Sequence, residues 1–223
     1  MNVTEAVKSR RSVRQFLDKP VDRATLERVL ETAQRSPSGG NTQPWSAVVV
    51  GGDELIRITA AIKAKSATAP MGEGMEYAIY PKDLDGRYEE QRRAVGKEMF
   101  DAVGLERGDT AGRVAQMAKN WDSFGAPVQL FTYTRKYMGP PQWSDMGMWL
   151  QTVMLLLREA GLDSCPQEIW AMYGTHMREL LGIDDDHIFF CGMAIGYRDP
   201  DAPINNFDVP RVSISDAIEF RGL

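Results

Sequence analysis

Apolar positions recur at helical spacing between Asp22 and Arg35, where Leu26, Val29, Leu30 and Ala33 fall on one face. Asp22 stands where an N-cap belongs, and Val21 and Leu26 are spaced to staple hydrophobically across it. Earlier, Asn2-x-x-Glu5 reads as an N-cap with its returning acid, opening a short helix through Val3, Ala6 and Val7. Three largely apolar runs predict buried strands: Ala47 to Val50, Ala126 to Tyr133, and a central one over 187–197. Ser144, followed by Asp145, opens a long helix that runs through Ala160 and stops at Gly161. That helix is apolar nearly all round (Met146, Met148, Trp149, Val153 to Leu157), which points to burial against a second subunit. A further helix from Met172 to Leu181 ends at Gly182. The tail after Asp199 is proline-rich and extended, and carries Arg211 ahead of a short alternating strand. It buries little locally, so it is expected to pack on something else.

Residues 64–125 break this pattern. They are rich in charge and glycine, with one amphipathic helix over Tyr88 to Val103 and too few apolar positions to fold alone. The reading is therefore one domain over 1–223 with a helical excursion. Its 223 residues suffice for one filled core. The formal net charge of −5 offers no basic field for nucleic acid or anionic lipid. No apolar run is long enough to span a membrane, and none follows the first basic residues as in a secretory leader. The two cysteines, Cys165 and Cys191, suit a reducing cytoplasm and read as small buried hydrophobes. With only His176 and His187 to join them, no metal site is expected, and Asp184 to Asp186 read as a turn.

Two stretches carry candidate chemistry. Arg10, Arg11, Ser12 and Arg14 put three guanidiniums and a hydroxyl within five residues at a helix end. Guanidinium forks match phosphate oxygens, so the cluster fits an anion trap; a solvated basic turn fits the spacing equally well. The loop SPSGGNTQPW, residues 36–45, combines Gly39 and Gly40, which leave the backbone open to a flat ligand, with Ser38, Asn41, Thr42 and Gln43 as donors and acceptors. Together they suggest a phosphorylated planar cofactor. There is no GxxxxGK[ST] loop, and Gly72-x-Gly74 lacks the rest of a dinucleotide fingerprint.

Four stretches in register, SRRSVRQF, SPSGGNTQPW, SDMGMWLQTVMLLLREAGLDSCPQE and PRVSISDAIEF, resemble the nitroreductase family of FMN-dependent oxidoreductases. The excursion resembles that family's nitrobenzoate-reductase-like branch. The resemblance implies an α+β three-layer sandwich with a mixed, mostly antiparallel sheet, built as an intertwined homodimer with FMN at its interface. It implies that Arg10, Arg11, Ser12 and Arg14 hold the phosphate and the flavin pyrimidine edge, with Arg211 a second charge on the phosphate. Pro37, Ser38, Gly39 and Asn41 would reach a flavin bound mainly to the partner, and Pro166, Gln167, Glu168 and Ile169 would form the loop beside flavin N5. NADPH or NADH would reduce the flavin, and a small nitroaromatic acceptor would then occupy the same face, giving ping-pong kinetics. Tyr88, Trp121 and Phe124 are candidates to stack on that acceptor, with core packing the favoured role for each. The same fold accommodates a quinone or flavin reductase, or a flavin-binding protein without turnover.

Overall fold

The computed structural model describes all residues from Met1 to Leu223. In chain order the elements are α1 (Val3–Ser9), α2 (Arg23–Ala33), β1 (Ser46–Gly51), α3 (Gly52–Thr68), α4 (Gly86–Asp101), α5 (Thr110–Ala118), β2 (Val128–Arg135), α6 (Pro140–Glu159), β3 (Asp163–Gln167), α7 (Gly174–Leu181), β4 (His187–Gly196) and α8 (Ile214–Ala217). Caps fix the early helices. Asn2 and Glu5 form the reciprocal capping box on α1, and the Asp22 carboxylate accepts the Thr25 N–H at the start of α2.

The four strands lie in the order β1-β2-β4-β3, every neighbouring pair antiparallel. The parallel component expected of a mixed sheet is confined to a single bridge between Ser12 and Ser164. Alternation along the strands feeds two cores. Val128, Leu130, Cys191, Met193 and Ile195 face α2 and α6, whereas Val50, Phe131 and Phe189 face α3 and α7. The sheet is thus the middle of three layers. Burying each large aliphatic or aromatic side chain in these layers contributes about 1.5–3 kcal/mol. Trp45 and Trp149 stack with ring centroids 6.0 Å apart, and the Trp45 indole N–H donates to Gln34 Oε1 at 2.8 Å. This pins the end of the 36–45 loop to both α2 and α6. No helix is long and apolar enough to cross a membrane.

Several elements differ in extent or kind from the expectations above. The long helix begins at Pro140 rather than Ser144, because the two prolines sit in its first turn and the Gln142 side chain accepts the Gly139 N–H at 3.1 Å. One face of α6 is buried within the chain itself, while Met148 is 41 % exposed on the other. The tail forms no strand after Arg211; Ser213 instead caps the short helix α8, and no sheet edge of the chain reaches it. Residues 165–167 are not loop but part of the edge strand β3, where a proline is tolerated because one side of the strand makes no ladder. The excursion holds a second helix, α5, whose N-cap Asp109 accepts the Gly112 N–H at 2.8 Å.

Candidate active site

The turn after α1 carries the arginine cluster, and a buried asparagine holds that turn. Asn205 accepts the Arg14 backbone N–H at 2.8 Å and donates to the carbonyls of Gln15 and Asp199 at 2.8 and 2.9 Å. Arg11 donates to the Phe207 carbonyl at 3.0 Å and lies 3.7 Å from Asp208, so it straps down the start of the tail. Arg10 and Arg211 behave differently. Neither has a carboxylate within ionic reach, and Arg211 donates only to the carbonyls of Val209 and Pro210. Burial, and after it the like charge of Arg211, pull the Arg10 guanidinium below its ordinary pKa. Two like charges held together without a counter-ion form a site built for an anion.

These residues open into a cleft in two parts. Arg10, Arg11, Ser12, Arg14 and Arg211 line a basic cavity of about 960 Å³. Arg14 and Val95 belong to both this cavity and a second one of about 1190 Å³. Cys165, Pro166, Gln167, Glu168 and Ile169 form one wall of the larger space, and α4 and α5 form the facing wall. Gln167 is fixed behind that wall. Its side chain accepts from Gln129 at 3.1 Å and donates to the Asn120 carbonyl at 3.1 Å. The Cys165 thiol, fully enclosed, is pushed up to about 11, and Cys191 to about 12, both mainly by burial. Neither thiol ionises near neutral pH, so neither supplies a nucleophile.

The 36–45 loop lies apart. Pro37, Ser38, Gly39 and Asn41 line neither cavity. A carboxylate unread in the sequence sets the loop's shape: buried Asp145 accepts the Gly39 N–H at 3.2 Å. Gly40, Asn41 and Gln43 all take positive φ, and the Ser38 hydroxyl accepts the Gln43 N–H at 2.9 Å. Among the three aromatics considered for the acceptor, Phe124 lines the larger cavity. Trp121 is buried edge-to-face against Trp170 and Tyr173, and Tyr88 lies exposed on α4 beside Arg87, outside the lining.

Asn205 and Asp145 escaped the sequence reading because each acts through a backbone contact 191 or 106 residues distant. The adjacent Asn205 and Asn206 within an otherwise apolar and proline-rich segment were the one local signal. No three metal-ligating side chains come together.

The chemistry of this cleft suits FMN on two observations: the Arg10–Arg211 pair has no carboxylate in ionic reach and would suit a phosphate, and the adjoining space beside the 165–169 wall is large enough for a tricyclic ring. Comparison with known proteins agrees. The sequence is 33% identical over 216 residues to a 4-nitrobenzoate reductase of Pseudomonas putida, covering 97% of this chain and 94% of that one. The fold superposes with a TM-score of 0.98, at 50% identity and full coverage of both chains, on an FMN and NADPH-dependent nitroreductase NfnB from sphigopyxis sp. strain HMH. It matches the FMN-dependent nitroreductase NfnB from Mycobacterium smegmatis, solved in complex with NADPH, with a TM-score of 0.93 at 28% identity and 98% coverage of both chains. Residues 7–197 match the sequence model of the Nitroreductase family, and the chain belongs to that family.

Proposed function

We propose that the chain is an FMN-dependent oxidoreductase that uses NADPH to reduce nitroaromatic compounds. The observation that carries this reading is the half-buried Arg10, set beside Arg211 with no carboxylate partner, at the basic end of a cleft whose other end is broad and apolar enough for a flavin ring. Arg10, Ser12 and Arg211 would hold the phosphate, Arg14 the pyrimidine edge, and Pro166 to Ile169 the face beside N5. Bound FMN supplies hydride acceptance and donation at N5, chemistry that no side chain performs.

The protein's own contribution is orientation and charge. Arg14 sits where the two cavities meet, its backbone fixed by Asn205, so its guanidinium would supply positive charge to stabilise the anionic reduced form of a bound flavin. One cavity receives donor and acceptor in turn, from which ping-pong kinetics follow. The excursion, anchored at its base, acts as a lid. Glu73 accepts the His176 N–H at 2.7 Å and pairs with Lys65 at 3.2 Å, and Glu76 pairs with buried Arg178.

The reading includes a homodimer. The 37–41 loop lines neither part of the chain's own cleft, and the apolar positions Val209, Val212, Ile214, Ile218 and Phe220 are exposed. Both features fit a second copy, whose flavin the loop would reach. The two buried thiols, free of any disulfide, suit the cytoplasm. Replacing Arg10 and Arg211 together with glutamine tests the phosphate site. Each charged hydrogen bond lost costs about 1.5–3 kcal/mol, so the double variant is expected to purify colourless with unchanged circular dichroism. Full flavin content in that variant would overturn the assignment.

A further inference from the structure

The larger cavity is strongly cationic although the chain as a whole is acidic. Six arginine or lysine residues line it against two carboxylates, Asp101 and Glu168. Two of the six are neutralised on their own helix, Arg93 by Glu89 and Lys97 by Asp101. Arg14 belongs to the flavin end. Of the remaining three, two are held in place by aromatic rings. The Arg92 guanidinium lies 4.2 Å from the Tyr80 ring centroid, and that of Arg113 lies 4.3 Å from the Phe100 centroid. Stacking fixes the plane of a guanidinium while leaving its in-plane N–H groups free for a bidentate anion. Arg113 uses only its Nε–H, toward the Glu106 carbonyl at 3.2 Å. Neither arginine has a carboxylate within ionic reach.

A second feature points the same way. Arg113, Gln116, Met117 and Asn120 all line the cavity, the i, i+3, i+4, i+7 face of α5 and its continuation. Gln116 on that face is only 7 % exposed, yet its side-chain amide makes no hydrogen bond within the chain. That amide opens onto the cavity, where its N–H and C=O groups are free to pair with an incoming polar group.

Building on the function proposed above, we propose that Arg92 and Arg113, with Gln116 as a neutral hydrogen-bonding neighbour, form an anion-recognition wall in the lid that reads a negatively charged group on the molecule entering the cavity. That group is a carboxylate on the aromatic acceptor or the 2′-phosphate of the dinucleotide donor. Both present a pair of anionic oxygens to a guanidinium fork, and both are absent from close analogues, so the two sources separate cleanly.

The test is calorimetric binding to the holoenzyme, independent of turnover. One arm compares 4-nitrobenzoate with nitrobenzene, and the other compares 2′,5′-ADP with 5′-AMP. Wild-type protein is expected to prefer the member with the extra anion by about tenfold, the order of one charge-assisted contact at a half-exposed site, in at least one arm. The preference should fall as salt rises and vanish in the R92Q/R113Q double variant, whose flavin spectrum stays unchanged. Loss in the first arm assigns the wall to the acceptor, and loss in the second assigns it to the donor. A wild-type protein with no preference in either arm, or a double variant that keeps it, overturns the proposal. Loss of flavin from the wild-type preparation would instead contradict the function, leaving the binding comparison to judge the wall by itself.

Discussion

Arg10 and Arg11 are neighbours in sequence with opposite duties. Arg11 is spent on the tail, holding the Phe207 carbonyl and Asp208, whereas Arg10 is left facing Arg211. Composition and spacing leave a phosphate trap and a solvated basic turn equally open; the partial burial of Arg10 beside the like charge of Arg211 favours the first. The cysteines are settled by the same logic. With thiol pKa values raised to about 11 and 12, Cys165 and Cys191 are protonated and enclosed at pH 8. Ellman's reagent is expected to titrate neither thiol in the native protein at that pH and both after denaturation. The sign of the linked stability follows. A raised folded-state pKa means that the native state keeps its protons longer than the unfolded chain does. Stability is therefore full below about pH 9 and declines as pH climbs toward 11, and Cys165→Ala should flatten part of that decline in melting temperature.

Among the elements, the two helical layers and three of the four strands were legible because each has a strong period or an uninterrupted apolar run bounded by caps. Boundaries failed where local chemistry competes. Pro140 and Pro141 disguise a helix start as a loop, and the alternation of Val212, Ile214 and Ile218 imitates a strand that has no edge to join. β3 was hidden because it contains a proline and three polar residues, Asp163, Ser164 and Gln167, whose burial comes from tertiary contacts that no local period reveals. The base of the lid depends on non-local ion pairs. Glu76 neutralises Arg178, a guanidinium buried against β4, and Gly72 (φ 85°) passes so close to the Met172 carbonyl that a Cβ would sit 2.7 Å from it. Removing one partner of a buried pair costs up to about 3–5 kcal/mol, and here Asp185, fully exposed and 3.9 Å from Arg178, is left as the remaining counter-charge. Glu76→Ala is accordingly expected to lower the melting temperature and to expose residues 81–109 to limited proteolysis, while Glu106→Ala, on the solvent side of the lid, changes neither.

At the scale of the molecule, the proposed homodimer would let each chain complete its neighbour's site. The 37–41 loop lines neither part of its own chain's cleft, and the tail leaves Val209, Val212, Ile214, Ile218 and Phe220 exposed. Sedimentation should give twice the 24.9 kDa of a single chain, and removing residues 209–223 should lower both association and flavin content; a monomer retaining full flavin would contradict the shared site. If this cleft binds FMN and passes electrons from NADPH to a nitroarene, anaerobic absorption spectroscopy of the purified protein will show it. The protein should be yellow, with a flavin band that bleaches on adding NADPH and returns on adding a nitroarene. A colourless protein, or a yellow one whose band persists with NADPH, would contradict it.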